Sequence, residues 1–203
     1  MLRVGLTGGL ASGKSTAGGL LRELGAVVFD ADEIVADLYR PGAEGTRAAG
    51  ELFGNSVMDV KGSVDRARIA ELVFTDPRRR HELEARIHPL VRREIEQRFA
   101  EARAEGARVA VAEASQLLEA GTESEYDRVL LIVAPEAERV RRWESTGGQA
   151  EDARRRMAAQ ISSDAASRRS TDVIVNDGTL EDLRKEVEKL YSRWLREEPK
   201  VSG

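Results

Sequence analysis

The sequence contains no cysteine among its 203 residues, so disulfide bonds and thiol chemistry are excluded. It also lacks an apolar run of the about 18–20 residues that a membrane-spanning helix needs. The first three residues lead directly into an apolar strand, and we therefore expect no secretory signal peptide. These absences together favour a cytoplasmic protein with no membrane partner.

A strong charge of one sign is missing too. Lys and Arg number 32 against 36 Asp and Glu, which gives a formal net charge of -4 and no general attraction to nucleic acid. We expect no nucleic-acid partner and a monomer. Neither internal repeats nor low-complexity segments interrupt the chain. With 41% hydrophobic and 33% charged residues, the composition is that of one ordinary globular domain.

The strongest motif lies near the start of the chain. Residues Gly8 to Ser15 fit the pattern G-x-x-x-x-G-K-[ST], the phosphate-binding P-loop. An alternating apolar strand precedes them, and a helix closed by Gly25 follows. Backbone N–H groups and the helix N-terminus would bind phosphate, Lys14 would reach the β- and γ-phosphates, and Ser15 would ligate Mg²⁺. The motif predicts a nucleotide site without identifying the reaction.

Strands alternate with helices along the chain, which predicts a parallel α/β sheet. The expected core covers about residues 1–32, 105–135 and 163–198. Residues 33–104 read as an inserted helical subdomain, and residues 136–162 as a smaller insertion. Pro89 is expected to bend or restart the long helix of the first insertion. We expect the tail after Glu198 to fray.

Several polar side chains follow the predicted strands. Asp30 and Asp32 could bind Mg²⁺ or accept a proton from an attacking hydroxyl, or one of them could cap the next helix. The functional role is favoured for Asp32, whereas the two roles are nearly balanced for Asp30. Glu113 and Glu119 flank a turn after the third strand, either as site residues or as loop hydrogen-bonders. His88 precedes a proline, which disfavours helical backbone there, and a lone histidine is more often structural than functional.

Arginine is concentrated in both insertions, where most guanidinium groups are expected to pair with glutamate on solvated helix faces. The insertion after the fourth strand is the better source of an arginine that stabilises a transferring phosphoryl group. Position alone does not select which arginine it is.

Taken in order, these residues resemble the dephospho-coenzyme A kinases over about residues 3–191. No single feature is specific, but their order and spacing together are. The matching features are Gly5 to Gly9, Asp30-Ala31-Asp32, Arg66, Phe74, His88-Pro89, Glu113, Leu117, Leu118, Glu119, Gly121, Arg141, Gln160, Ile174, Asn176 and Gly178.

The resemblance implies a P-loop kinase-type three-layer sandwich, in which a five-stranded parallel sheet carries a helical substrate-binding insertion and a small lid. It implies transfer of the γ-phosphate of ATP, with Mg²⁺, to the ribose 3′-hydroxyl of dephospho-coenzyme A, the last step of coenzyme A biosynthesis. The implied catalytic residues are Asp32 as the base, Lys14, and Arg141 as the lid arginine. The implied substrate-binding residues are Thr7, Asp32, Arg66, His88 and Glu113. The implied nucleotide-binding residues are Gly8, Gly9, Leu10, Ala11, Ser12, Gly13, Lys14, Ser15, Thr16, Asn176 and Gly178, with Ser15 also as the metal ligand.

The chain departs from the family pattern in three places. Ala11 replaces a loop glycine, so the loop must either have a negative φ there or carry about 1 kcal/mol of strain. Ser115 and Gln116 stand where the family usually has Pro and Leu, and Ser145 and Thr146 where it usually has Arg and Asp. The last change implies one fewer phosphate-facing arginine in the lid.

Two other functions compete with this one. The same core could serve a kinase for another small alcohol or a nucleoside monophosphate, which a panel of substrates would distinguish. A P-loop switch or regulatory binding module would instead show slow hydrolysis and a nucleotide-dependent partner surface. The large insertion fits a substrate clamp better than a switch.

Overall fold

Five parallel strands form the sheet that carries the P-loop. The computed structural model describes residues 1–197, the side chain of Thr75 apart, and the expected fraying after Glu198 lies outside the described residues. The sheet order is β2-β3-β1-β4-β5, and all neighbouring strands are parallel, which confirms the expected sheet. The strands are β1 (Leu2–Gly8), β2 (Val27–Asp30), β3 (Val109–Glu113), β4 (Arg128–Val133) and β5 (Asp172–Val175).

Nine α-helices occupy the described part of the chain, and one of them is not foreseen by the sequence patterns. That helix, over residues 163–168, is too short to show a period, although the Ser162 hydroxyl caps it by accepting the Ala165 N–H. The helices are α1 (Lys14–Glu23), α2 (Ala31–Leu38), α3 (Glu44–Phe53), α4 (Arg66–Thr75), α5 (Pro77–Ala104), α6 (Glu136–Ser145), α7 (Ala150–Ala158), α8 (Ser163–Arg168) and α9 (Leu180–Arg196). None of the described helices is long and apolar enough to cross a membrane.

Helices cover the sheet on both faces, and this explains the continuous apolar runs of the strands. Val4 and Leu6 of β1 point into the main core, where α9 contributes Val187 and Trp194. The opposite face has a second cluster, formed by Leu117, Leu118, Val129, Leu131 and Ala166. The expected three-layer α/β arrangement is therefore present.

The chain divides into two compact units. The first comprises Met1–Asp30 and the chain from Phe99 onward, and the second is Ala31–Arg98. Residues 99–104, which we expected in the insertion, belong to the first unit. At the start of this segment the Phe99 ring packs edge-on against the Phe29 ring, with 5.0 Å between the ring centroids. The expected lid, residues 136–162, lies within the first unit as well and contains α6 and α7.

The second unit has a core of its own, and helix α5 packs into it on both sides of Pro89. Of the two effects expected of Pro89, a bend or a restart, the restart is wrong. Helix α5 runs through His88 and Pro89 without a restart, so both residues are helical. Proline inside a helix costs about 3 kcal/mol, since the carbonyl one turn earlier loses its N–H partner. Leu83 and Ile87 before the proline and Leu90 after it pack into the same cluster, and this burial offsets the loss.

Candidate active site

The P-loop starts at the carboxyl end of β1 and ends in the first turn of α1. Gly13 is the N-terminal cap residue of α1 and has a φ of 99°, which lies in the region that favours glycine. A side chain at position 13 would also meet the Asn176 amide, because an added Cβ would lie 2.2 Å from Asn176 Nδ2. Lys14 and Ser15 then occupy the helix N-terminus, where the orphan N–H groups favour an anion.

Of the two backbone conformations that the sequence allows for Ala11, the structure has the strained one with a positive φ. The φ of Ala11 is 55°, and Ala11 is the only non-glycine residue with a positive φ in the described part of the chain. The Cβ of an L-residue makes this conformation unfavourable by about 1–2 kcal/mol. Neighbouring contacts must therefore hold the loop in this shape.

Glu113 lies beside the P-loop, because β3 pairs with β1 in a register that sets Glu113 opposite Leu6. The Lys14 ammonium donates to Glu113 Oε1 at 3.0 Å, and the Ser15 hydroxyl donates to the same oxygen at 2.6 Å. The Glu113 and Lys14 side chains are only 9% and 13% exposed, so each charge depends on the other for compensation. Ser115 Oγ lies farther from Lys14 Nζ, at 3.5 Å.

The Ser15 hydroxyl and the Glu113 carboxylate are hard oxygen donors of the kind that Mg²⁺ prefers, and their 2.6 Å contact sets them side by side. Within residues 1–197, no group of three or more acidic, histidine or cysteine side chains is arranged to hold a metal by itself. A site with few protein ligands fits Mg²⁺ in particular, since this ion is usually completed by phosphate oxygens and water. The residues present therefore fit a Mg²⁺ ion bound together with a nucleotide.

Two arginines of α6 contact the P-loop, and the sequence patterns did not single out either of them. Arg139 Nε donates to the Leu10 carbonyl at 2.7 Å, and Arg142 Nη1 donates to the Ser12 carbonyl at 3.2 Å. Burial lowers the pKa of Arg139, and the nearby Glu136 carboxylate partly opposes that shift. Both guanidinium groups thus lie at the phosphate-binding loop.

Arg141, the lid arginine implied by the resemblance, points elsewhere in this structure. Its side chain is 70% exposed and pairs with Glu138 on the same helix at 2.6 Å. That hydrogen bond raises the pKa of Arg141 and lowers the pKa of Glu138. The structure does not bring Arg141 to the P-loop, and its role remains a prediction.

Helices α6 and α7 form a hairpin around Trp143. The Gly148 N–H donates to the Trp143 carbonyl at 3.2 Å, and an added Cβ on Gly148 would lie 2.0 Å from the indole nitrogen. Arg156 of α7 covers the same ring, with its guanidinium carbon 5.3 Å from the ring centroid. This packing explains why glycine is required where α6 turns toward α7.

The two implied nucleotide-binding residues that lie outside the P-loop have different surroundings. Asn176 is buried at the end of β5, and its amide donates to the Ser12 carbonyl at 2.7 Å. Gly178 instead lies against the capping box of α9, where an added Cβ would be 2.8 Å from the Asp182 carboxylate. Asn176 thus belongs to the P-loop surroundings, whereas Gly178 is accounted for by the helix cap.

Thr7, Ser12 and Thr16 are the remaining candidates near the loop, and the first two line a small cavity. Thr7 is buried on β1 and Thr16 is exposed in the first turn of α1. Ser12 Oγ is buried without a hydrogen-bond partner, and Ser12 and Thr7 both line a cavity of about 30 Å³. A cavity of this size has room for about one or two ordered waters, which could satisfy the hydroxyl.

Three of the implied substrate-binding residues lie on different helices of the second unit. Asp32 is exposed in the first turn of α2, Arg66 is the first residue of α4, and His88 is exposed on α5. The Arg66 charge acts on Tyr39, where it partly opposes the rise in the tyrosine pKa caused by burial. Their assignment to substrate binding remains a prediction from the resemblance.

Glu119, the other acidic residue after β3, behaves as a loop hydrogen-bonder. Its carboxylate is exposed and accepts the Ile161 N–H at 3.3 Å. Glu113 therefore contacts P-loop side chains, whereas Glu119 binds the Ile161 backbone. Glu119 also lines a small cavity together with Thr7 and Ser12. The assignment of Glu113 to substrate binding stays a prediction.

The sequence profile of dephospho-CoA kinase matches residues 2–182. The chain belongs to the dephospho-CoA kinase family. A dephospho-CoA kinase of Corynebacterium glutamicum is 39% identical over 196 residues, which are 96% of this chain and 98% of that protein. Another, from Symbiobacterium thermophilum, is 41% identical over 93% of this chain and 79% of its own length. Membership of this family makes the chain a kinase and implies ATP as its phosphate donor.

Solved structures agree with the fold. A crystal structure of a Thermus thermophilus protein superposes with a TM-score of 0.78 at 34% identity, covering 95% of this chain and 97% of that one. The dephospho-CoA kinase of Campylobacter jejuni gives a TM-score of 0.63 at 21% identity, covering 95% and 96%. At that identity the second likeness supports the fold alone, and it is the P-loop kinase fold expected from the sequence.

Proposed function

We propose that this kinase transfers the γ-phosphate of ATP to the ribose 3′-hydroxyl of dephospho-coenzyme A, giving coenzyme A and ADP. The observation that carries the proposal is the contact of Glu113 with both Lys14 and Ser15, in a chain of the dephospho-CoA kinase family. This contact assembles a cation, a hydroxyl and a carboxylate at the helix N-terminus that binds phosphate.

On the nucleotide side, the P-loop N–H groups and Lys14 would hold the β- and γ-phosphates. Ser15, together with Glu113, would hold Mg²⁺, which supplies charge neutralisation on the phosphate oxygens when bound. In that bound state the Lys14 ammonium would turn from the carboxylate toward the phosphates. The protein contributes positioning and fixed charge, and little covalent chemistry.

On the acceptor side, Asp32 would orient the 3′-hydroxyl and accept its proton as the phosphoryl group transfers. Thr7, Arg66 and His88 would bind the acceptor. Arg141 would neutralise developing charge as the lid closes and excludes water. These roles come from the resemblance to the family's sequence pattern, and the match of the family profile to residues 2–182 supports them.

We further propose that the enzyme works in the cytoplasm as a monomer. The absence of cysteine suits a reducing compartment, and the net charge of -4 favours neither nucleic acid nor an anionic membrane surface. Light scattering coupled to gel filtration would measure the mass in solution, for which we expect one chain of 22.3 kDa. A dimer mass would contradict the monomer without affecting the proposed reaction.

The decisive experiment is a coupled assay of ADP production with ATP, Mg²⁺ and dephospho-coenzyme A. AMP, adenosine and shikimate serve as alternative acceptors, and a Lys14→Met variant excludes a contaminating kinase. We expect ADP production only with dephospho-coenzyme A, and coenzyme A as the second product. Turnover with another acceptor alone would indicate a different small-molecule kinase, and slow hydrolysis that no acceptor stimulates would indicate a switch.

A further inference from the structure

The left-handed backbone of Ala11 needs an explanation in this chain. An L-residue at a φ of 55° is disfavoured by a factor of roughly five to thirty relative to its ordinary conformations. In the structure, the carbonyl groups of Leu10 and Ser12, the residues before and after Ala11, are both bound by side chains of α6. These contacts have no counterpart in the roles assigned so far.

The first contact encloses Leu10. Arg139 Nε donates to the Leu10 carbonyl at 2.7 Å, and Arg139 Nη2 donates to Gln160 Oε1 at 3.0 Å. The same glutamine oxygen accepts the Leu10 N–H at 3.0 Å, so both backbone groups of Leu10 are held in one closed ring. The ring approaches Gly9 closely, because an added Cβ there would lie 2.5 Å from Arg139 Nη2.

The second contact encloses Ser12. Arg142 Nη1 donates to the Ser12 carbonyl at 3.2 Å, and Asn176 Nδ2 donates to the same oxygen at 2.7 Å. Arg142 Nη2 also donates to the Asn176 backbone carbonyl at 3.0 Å, which fixes the two donors relative to each other. The Leu10–Ala11 peptide, which adjoins Ala11, and the Ser12–Gly13 peptide, which lies one residue further along, are therefore both restrained.

A hydrogen bond that fixes the direction of a backbone carbonyl also fixes the direction of the N–H group in the same peptide unit. A peptide unit is planar and trans, so its C=O and N–H point in opposite directions. With the Leu10 carbonyl bound to Arg139, the Ala11 N–H must point away from that guanidinium. With the Ser12 carbonyl bound to Arg142, the Gly13 N–H is fixed in the same way. Both are loop amides of the kind that cradle phosphate.

We propose that Arg139 and Arg142 are positioning residues that act through the P-loop: they hold the Leu10–Ala11 and Ser12–Gly13 peptides and thereby direct the Ala11 and Gly13 N–H groups toward the nucleotide. The inference rests on the proposed function only in taking the P-loop as a nucleotide site. Because Ala11 replaces a glycine, the loop of this chain depends on these arginines more than a glycine loop would.

A double-mutant cycle tests the proposal, with the binding of Mg·ADP measured by calorimetry. Arg139→Met should weaken binding about tenfold in the wild-type background. In an Ala11→Gly background the same substitution should weaken it by no more than about threefold, since glycine adopts the left-handed region without help. The same coupling is expected for Arg142→Met. Equal losses in the two backgrounds would mean that the arginines act on the nucleotide directly, and would overturn the proposal.

Gln160→Leu provides a second route that leaves the charge of the lid unchanged. It removes the acceptor of the Leu10 N–H and of Arg139, and its effect should also shrink in the Ala11→Gly background. Arg155→Met is the matched control, because Arg155 is an exposed arginine of α7 paired with Asp152, and it should not alter binding in either background. If Gln160→Leu were additive with Ala11→Gly in a folded protein, the positioning role would be wrong.

The two proposals fail in different ways. Normal Mg·ADP binding with the expected coupling, but no phosphorylation of dephospho-coenzyme A, would contradict the proposed function and support the positioning role. Full activity on dephospho-coenzyme A with additive losses would support the function and contradict the positioning role.

Discussion

We call the candidate nucleotide-binding residues of the first unit the nucleotide half, and the candidate acceptor-binding residues of the second unit the acceptor half. These two groups of residues hold their side chains differently. In the first unit, Lys14, Ser15 and Glu113 are joined to one another by hydrogen bonds. In the second unit, Asp32 and His88 are exposed on separate helices. The nucleotide half is thus linked by direct hydrogen bonds between its side chains, whereas Asp32 and His88 of the acceptor half have exposed side chains.

Because of this difference in exposure, substitutions in the two halves affect activity and the free energy of unfolding to different extents. Substitution of an exposed polar side chain changes the free energy of unfolding by less than about 0.5 kcal/mol, so a large loss of activity there reports on chemistry. Removing one member of a buried ion pair affects both folding and binding, because the remaining charge is left without compensation. The acceptor half should therefore give the cleaner kinetic effects.

The largest expected effect is that of Asp32→Asn. If Asp32 accepts the proton of the 3′-hydroxyl, kcat should fall about 10²- to 10⁴-fold, because the amide cannot act as a base. The affinity for ATP should change little. Steady-state assays would give kcat, and calorimetry with ATP would give the affinity.

Glu33→Gln is the control for this substitution. Glu33 is also an acidic residue in the first turn of α2, so its removal has the same effect on the helix dipole. We expect it to keep the wild-type rate. If Asp32→Asn also kept that rate, Asp32 would not be the base, and the favourable interaction of its charge with the N-terminus of α2 would be its remaining role.

Glu113→Gln probes the nucleotide half and should have the next largest effect. The amide can still accept hydrogen bonds from Lys14 and Ser15, but it provides no charge for Lys14 or for Mg²⁺. We expect a 10- to 100-fold loss of kcat/KM for ATP, with a higher Mg²⁺ concentration needed for half-maximal rate. A Mg²⁺ titration of the initial rate measures both. Glu119→Gln is the control, and an unchanged Mg²⁺ dependence in Glu113→Gln would limit Glu113 to a structural role.

Arg141→Ala should have a smaller effect, about a tenfold fall in kcat, if Arg141 reaches the transferring phosphoryl group when the lid closes. The melting temperature should not change, because Arg141 forms a surface ion pair with Glu138, and such pairs contribute little to stability. Arg155→Ala is the matched control, since Arg155 is also exposed and also pairs with an acid three residues earlier. Equal rates for the two variants would remove Arg141 from the mechanism.

Local signals account for the parts of the fold that could be predicted. Three such features depend on residues within a few positions of one another. They are the P-loop, the cap of α5 by the Asp76 carboxylate, and the capping box of α9 formed by Thr179 and Asp182. Gly25 could be recognised as the end of α1, and its φ of 98° agrees. Such features could be predicted because the physics that produces them is contained in a short stretch.

The contacts that organise the nucleotide half could not be predicted in this way. Arg139 and Arg142 reach a loop about 130 positions away, and nothing in α6 distinguishes them from Arg141 before the chain is folded. Glu113 was equally consistent with two roles until the register of β1 and β3 set it beside Lys14. Position in the folded sheet, not residue type, decides among equivalent arginines and glutamates.

The smallest expected effect is on the pH dependence of the unfolding free energy, and one tyrosine in each unit allows it to be compared between the two units. Burial raises the pKa of Tyr39 in the second unit and of Tyr191 in the first, and Arg66 and Arg108 respectively oppose the shift. A raised pKa means that the folded state favours the neutral phenol. The stabilisation is complete below the unfolded-state pKa of about 10 and is lost as the pH rises through the higher pKa of the folded state.

Tyr39→Phe and Tyr191→Phe should therefore each flatten the fall in unfolding free energy above about pH 10, by a fraction of the wild-type slope. Urea unfolding followed by circular dichroism between pH 9 and 11 measures that slope. If the two units unfold as one cooperative block, both variants should flatten the same single transition. A flattened slope for Tyr191→Phe alone would show that the second unit has already lost its packing around Tyr39 before the first unit unfolds.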